Sequence, residues 1–346
     1  MKLERIDTTA AFDDLASEWN DLLARSITDV PFLRHEYLRA WWSSLGGGEW
    51  PSAELSIVSG RDASNRLVGL APLMCLRGGH DPSLHLLGSF EISDYLDLLV
   101  PPAQAGPFVR GLLDFLADEP IGNWQALDLY NLRAASPVRR LVLEYAEERG
   151  WPATEELLQP CPAIALPRDW EAYLQSLDKK QRHELRRKMR RAGAHSPTVE
   201  MRWIDRPEDL EPGMQAFLEL MRLDPQKSHF LTEAMDGHFR QLAAEAKRGD
   251  WLRLAFLDVG GHPAAGYLFF DYRNRLWIYN SCLDPTFSEL SPGWVLTGLL
   301  IQWAIQQGRE VFDFLRGGED YKYRLGGVAD SIYRVRVERR PSEAER

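Results

Sequence analysis

Apolar residues recur along this chain in two rhythms. Phe12, Leu15, Trp19 and Leu22 keep the three-and-four spacing of an amphipathic helix and predict one over Ala10–Arg25, after a short strand at Lys2–Asp7. Pro31 starts a second, aromatic-rich helix to about Leu45, which Gly46–Gly48 stop. Runs with strand character follow at 53–59, 65–76, 84–89 and 95–100, the first two joined by a turn at Arg61–Arg66. A helix near Ala103–Leu116, a strand at 125–131, a helix from Pro137 to Arg149, and short strands near 153–159 and 163–166 come next.

Three prolines within 159–169 interrupt both rhythms, which predicts two domains, 1–165 and 166–340. Beyond them the pattern predicts a short helix at 170–177, a basic helix from Lys179, a strand at 199–204, and helices over Pro207–Arg222 and Thr232–Arg248. Three consecutive strands occupy 251–284. A long helix from Ser291 carries Leu296, Leu299, Leu300 and Trp303 along one side, and Gly308 ends it. A strand at 311–315, a short helix at 320–325 and a last strand at 331–339 close the chain. Strands interleaved with helices, partly antiparallel, predict an α/β (α+β) protein of mixed sheets with helices packed on them.

Composition narrows this picture. An apolar content of 45% over 346 residues supplies a full core without staples. Cys75, Cys161 and Cys282 are far apart and odd in number, which predicts neither a disulfide framework nor a zinc site, and a reducing compartment. The eight histidines show no HxxxH or HExxH spacing, so no metal is expected. The first residues lack a basic region followed by an apolar run, and no stretch of about 18 apolar residues occurs. A soluble, cytoplasmic protein without a membrane span is expected. A net charge of −10 argues against general nucleic-acid binding.

Four places carry candidate chemistry. Ser291 as N-cap, Pro292 in the first turn and Gly293 leaving room for close approach describe either an anion-binding helix start or an ordinary capped helix. On the preceding strand, alternation sends Tyr279 and Ser281 to one face and Asn280 and Cys282 to the other. Tyr279 there is either a general acid or half-buried packing. Asp313, among large apolar residues, is either a general base or the ion-pair partner of Arg316 or Lys322. The segment Lys179–Arg191 holds eight Lys/Arg against one Glu, with Arg182, Arg186 and Arg190 on one ridge. That ridge is either an anion grip or a solvated face.

The patterns SPGxxLxxxxIxxAxxxG (from Ser291) and FDFLRGGEDYKYRLGG (312–327), with PFLRHEYLRAWW (31–42), SDYLDLLV (93–100) and QRHELRRKMRR (181–191), resemble the acetyltransferase-like domain of the CelD-like cellulose-biosynthesis proteins. That group lies in the GNAT superfamily and is related to the Fem peptidoglycan-bridge aminoacyl transferases. The resemblance implies tandem GNAT-like domains, each a mixed, largely antiparallel sheet with helices on both faces. It implies an acyltransferase using acetyl-CoA or another acyl-CoA, with a small-molecule or glycan-precursor amine as acceptor. Ser291, Gly293, Trp294 and Arg316 would hold the donor, and Arg182, Arg186, Arg190 and Tyr321 the acceptor. Asp313 would take the proton, Lys322 the oxyanion, and Tyr279 would assist the leaving thiol. The family's phosphate loop reads Q/RxxGxG/A, whereas this chain has SELSPGW. Two other readings therefore stay open: a Fem-like transferase using aminoacyl-tRNA, and a non-catalytic GNAT scaffold binding a nucleotide-linked glycan.

Overall fold

A computed structural model describes residues 1–77, 82–88, 90–118, 121 and 123–339. In chain order the first elements are β1 (Lys2–Ile6), α1 (Thr9–Asp14), α2 (Ala16–Leu23), α3 (His35–Ser44), β2 (Ala53–Leu55), β3 (Ile57–Arg61), β4 (Leu67–Ala71), β5 (Leu73–Leu76), β6 (Ser83–Leu86), α4 (Ala105–Asp118), β7 (Ala126–Arg133) and α5 (Val138–Glu148). Then come β8 (Ala153–Ala165), α6 (Trp170–Ser176), α7 (Lys179–Gly193), β9 (Val199–Trp203), α8 (Leu210–Met221), α9 (Pro225–Phe230), α10 (Glu233–Arg248), β10 (Leu252–Val259), β11 (His262–Tyr272) and β12 (Arg275–Leu283). The last are α11 (Pro292–Gln306), β13 (Val311–Asp313), α12 (Asp320–Arg324) and β14 (Val328–Glu338). These form two compact units. Unit 1 is Met1–Gln159 with the stretch from Ser331, and unit 2 is Pro160–Asp330.

Unit 1 contains a three-stranded antiparallel sheet, β1-β3-β4, and the strand order β2-β5-β6-β7-β14, in which β6 and β7 run parallel. The helix predicted over 10–25 is two helices meeting at Leu15. The run predicted at 84–89 is a strand over Ser83–Leu86, and Ser89 lies outside the described residues. Segment 95–100 is not a strand. Its Leu96 and Leu99 make only isolated bridges, to Leu132 and Leu70. Within it Asp97 is buried and takes the Leu98 amide at 2.9 Å, and just before it Ser93 and Asp94 are buried as well, with carbonyls of that approach held by side chains. Asn131 Nδ2 donates to the Ser93 carbonyl at 2.6 Å, and the Tyr37 hydroxyl donates to the Ile92 carbonyl. Alternating apolar residues alone could not reveal that competition.

In unit 2 the strand order is β8-β13-β12-β11-β10-β9, with β12 and β13 parallel and the other pairs antiparallel. The two strands predicted near 153–159 and 163–166 are one strand, β8, and α9 is a helix the apolar pattern does not announce. The strand predicted at 311–315 stops at Asp313. Helix α11 was expected to bury one side. Instead Val295, Leu296, Gly298, Leu300, Ile301, Ala304 and Ile305 are all buried, so apolar neighbours surround most of its circumference. A helix apolar nearly all round is stable only in such a position. Gly298 lets α7 approach α11: a Cβ there would lie 3.0 Å from Leu185 and 3.1 Å from Met189.

Asp97 of unit 1 is fully buried, accepting from Thr28 Oγ1 at 2.6 Å and from the Leu98 amide at 2.9 Å. Burial outweighs these bonds and pushes its carboxyl up to about 6. The fold therefore prefers the protonated acid. Its contribution is complete below the ordinary carboxyl value and is lost as pH climbs through about 6. Between pH 7 and pH 4, wild type should gain about 2–3 kcal/mol of unfolding free energy relative to Asp97→Asn. Urea titrations at both pH values measure this, and parallel pH dependence in the two proteins would remove the titration from Asp97.

Candidate active site

The site is built where β12 and β13 part. Only Arg275–Trp277 and Val311–Asp313 pair. β12 continues to Leu283, while the chain after Asp313 turns into a loop leading to α12. Among the described residues, the edge of β12 beyond Trp277 towards β13 thus has no strand opposite it, as a ligand site at strand ends requires.

A register slip places the side chains here. Leu268 pairs with Asn280, but Phe270 pairs with Trp277, so Ile278 and Tyr279 share the place opposite Phe269. This bulge overturns the alternation expected from sequence. Tyr279 packs on Phe270 and Phe239, with ring centroids 4.9 and 5.8 Å away. Ser281 instead lines a cavity of about 370 Å³ with Tyr267, Leu283, Pro292, Trp294 and Tyr321.

The start of α11 forms one wall of that cavity. Ser291 was expected to cap it with its hydroxyl. Its backbone is left-handed (φ 54°, ψ 53°), and its side chain makes no capping bond, so the hydroxyl is not spent on the helix. Pro292 takes the first helical position as expected and brings no N–H. The Val295 amide reaches the Ser291 carbonyl at 3.2 Å, which leaves the amides of Gly293 and Trp294 as the first-turn donors. Gly293 faces Leu283: a Cβ would lie 3.0 Å from its Cδ2.

Trp294 also borders a second hollow, about 510 Å³, lined by Lys180, Arg187, Lys188 and Arg324, with Glu184 the acidic member. Lys188 Nζ sits 4.5 Å from the centroid of the Trp294 ring, a cation–π contact. The predicted ridge is elsewhere on α7. Arg182, Arg186 and Arg190 line neither hollow, and Arg186 pairs with Glu171 at 2.5 Å.

The loop after β13 is held by two buried charges. Asp313 Oδ2 meets Arg275 Nη1 at 3.1 Å, and its Oδ1 accepts from the Leu315 amide at 2.9 Å. Arg275 is a partner that the sequence did not suggest, beside the Arg316 and Lys322 it offered. Lys322 is no surface lysine, being 3% exposed. Its ammonium donates to the carbonyls of Arg316 at 2.6 Å and Gly317 at 3.1 Å, and pairs with Glu319 at 3.0 Å. It thereby fixes a turn in which Leu315 (φ 59°) and Gly317 (φ 110°) are left-handed. Arg316 stands half-buried on that turn.

Three residues escaped the sequence reading. Lys227 of α9 donates to Asn280 Oδ1 at 3.2 Å and to the Ser281 carbonyl. Burial lowers its pKa, against the pull of Cys282, Asp224 and Glu319. Nothing in DPQKSHF marks it, although the Asp224–Pro225 helix start was legible. Tyr267 and Thr297 hydrogen-bond at 2.8 Å, and burial raises the pKa of both Tyr267 and Tyr321. A threonine inside an apolar helix was the available signal.

Residues 179–323 match the family model described as an acetyltransferase (GNAT) domain. Unit 2 carries a GNAT domain. Solved structures share the fold over nearly the whole chain. FemX aligns with a TM-score of 0.66 at 11% identity, over 96% of this chain and 97% of its own. A conserved protein of unknown function from Bacteroides thetaiotaomicron VPI-5482 gives 0.60 at 12%, over 98% and 100%. The C-terminal domain of a putative lysylphosphatidylglycerol synthetase from Agrobacterium fabrum gives 0.56 at 11%, over 95% and 92%. No curated protein matches the chain. At these identities the likeness is one of fold. Within the GNAT domain of this chain, the meander β10–β12, helix α11 and strand β13 are the frame of the cavity described above.

Removing the buried ammonium should be costly. Lys322→Met keeps the length of the stem but leaves the carbonyls unsatisfied, and should lower stability by about 3 kcal/mol. Glu319→Gln, at a half-exposed carboxylate, should cost no more than about 1 kcal/mol. Chemical denaturation of both variants is the check. Equal losses would mean that the ion pair, not the carbonyl cage, sets the turn.

Proposed function

We propose that this protein transfers an acyl group from a thioester donor, an acyl-CoA such as acetyl-CoA, to an amine. The observation that supports this best is the junction at Trp294. An apolar cavity and a basic hollow both reach Trp294, and the helix start at Gly293 and Trp294 lines the apolar one. A donor with an acyl arm and a phosphorylated head suits that sequence of surfaces, and free helix-start amides suit a pyrophosphate. Lys180, Arg187, Lys188 and Arg324 would hold the head. Tyr267, Leu283 and Trp294 would surround the arm. Bound there, the donor supplies an activated acyl carbon and a thiolate leaving group.

The chain's own residues do the rest. The Lys227 ammonium, held by Asn280 Oδ1 and the Ser281 carbonyl, turns its remaining proton to a developing oxyanion. Glu319 is the exposed carboxylate of the turn and takes the proton of the attacking amine. Asp313 and Lys322, whose polar atoms are occupied, act as positioning residues. An amino sugar or another polysaccharide precursor is the acceptor class that the family resemblance favours.

Calorimetry with acetyl-CoA tests the reading. Wild type should bind, more weakly as salt is added. The double variant Arg187→Gln/Lys188→Gln should lose about tenfold in affinity, as expected for two charged contacts at partly exposed sites. Arg182→Gln/Arg186→Gln/Arg190→Gln should keep wild-type affinity. No binding by a folded wild type would sink the donor assignment, and binding of aminoacyl-tRNA in its place would point to a Fem-type reaction.

A further inference from the structure

Helix α7 carries charge out of proportion to its size. Lys179–Arg191 holds eight Lys/Arg against one Glu, a net +7 in a chain whose total is −10, so all other residues together carry −17. Helical spacing divides these cations between two adjoining faces. Lys180, Arg187 and Lys188 line the basic hollow that reaches Trp294. Lys179, Arg182, Arg186 and Arg190 recur at i, i+3, i+7 and i+11 as a second stripe, which lines neither the hollow nor the apolar cavity. At 1.5 Å per residue the stripe is about 17 Å long. Lys179 and Arg190 are exposed and Arg182 half-buried. Elsewhere in unit 2, arginines meet carboxylates, as Arg202 meets Asp258, Arg240 Asp236 and Arg309 Asp271. In the stripe Arg186 does so, through Glu171 at 2.5 Å. Among the described residues, Lys179, Arg182 and Arg190 reach no carboxylate. Like charges three and four apart oppose the helix that bears them, so the chain keeps this stripe open at a cost that an anion from outside would relieve.

We propose that this stripe docks a small acidic carrier protein, and that the acyl thioester arrives on that protein's pantetheine arm. The inference rests on the acyl-transfer reading of the neighbouring cavity and names what bears the donor's arm. Charge complementarity favours this occupant. A carrier that presents one acidic helix meets a surface the length of α7 and little else. A nucleic acid or an anionic membrane is broad, and its charge would reach past α7 to residues that sum to −17. The arm joins its carrier through a phosphodiester, which suits Lys180, Arg187, Lys188 and Arg324 in the hollow that α7 shares with Trp294. On transfer the acyl C–S bond breaks as the C–N bond forms. The proton released by the amine ends on the thiolate, and the thiol stays on the arm.

Fluorescence anisotropy with a labelled acyl carrier protein tests this, in the apo form and with an acetyl-charged arm. The apo form has no arm, so it reads the stripe independently of the cavity. Both forms should bind wild type, the charged one more tightly, and both should weaken as salt is added. Lys179→Gln/Arg182→Gln/Arg190→Gln should lower affinity for both forms about tenfold, with acetyl-CoA affinity and melting temperature unchanged. Lys179→Gln/Arg190→Gln, at the two exposed positions, should act in the same direction and carries the test if Arg182→Gln disturbs folding. Equal carrier affinity in wild type and these variants would overturn the proposal. So would a wild type that binds the charged carrier no better than free acetyl-pantetheine. Stripe-dependent binding of transfer RNA or of phosphatidylglycerol vesicles, without binding of the carrier, would give the stripe to another partner and also refute it. Failure of acetyl-CoA to bind wild type would sink the donor assignment, while the apo carrier would still decide the stripe.

Discussion

An ammonium group almost without water is the constraint around which the candidate site is arranged. Lys322 reaches back under the turn that follows β13 and gathers its carbonyls. Such a charge is tolerable only where oxygen atoms surround it, so the turn and the lysine require each other. Asp313 performs the opposite service at the other end, collecting the Leu315 amide and Arg275. Between them the two charges stop β13 after three residues and swing the chain away from β12. That separation exposes strand edge, and α12 then brings Tyr321 to the cavity. Without the buried pair of charges, the apolar sequence 311–315 would be free to continue as a strand and close the gap.

Much of the fold was legible because it is written in periodicity. The meander, the two helices before it, and α11 follow from spacing alone, and the α/β class with them. What periodicity does not carry is a competing local bond or a slip by one residue. The bulge at Ile278–Tyr279 inverted an alternation that was otherwise sound, and moved Tyr279 away from the cavity that Ser281 lines. Segment 95–100 reads as a strand in composition, yet it makes only isolated bridges, and the buried Asp97 takes the Leu98 amide for itself. At the site, Pro292, Gly293, Trp294 and Tyr321 stand together on the cavity, as the helix-start and loop motifs suggested. The basic helix was recognised, but not which of its faces meets Trp294, because charges ring α7 and only Leu185 and Ala192 are fully buried. Lys227 was invisible for a different reason: its importance is a matter of distance to β12, and short polar helices carry no pattern that encodes distance.

The polar groups of the two units are used differently. In unit 1, Asp128 is 1% exposed and is gripped by Arg334 and Arg336, while Asp97 is enclosed by hydroxyls and an amide. These are closed networks in which each acid already has its donors. In unit 2 the polar groups around the cavity are open-ended: a serine that does not cap and helix amides without a ladder partner. Closed networks specify a fold, whereas open-ended ones await a ligand.

Trp294 stands as a party wall between two rooms. Its ring faces the apolar cavity and the basic hollow at once, with Lys188 resting against it. A smaller residue there would not merely enlarge one compartment; it would merge them and deprive Lys188 of its support. Variation in the size of the apolar cavity alone must therefore come through residues that border one room only, such as Leu283 or Tyr267. The shape of one hollow and the charge of the other are inherited together for as long as that indole is kept.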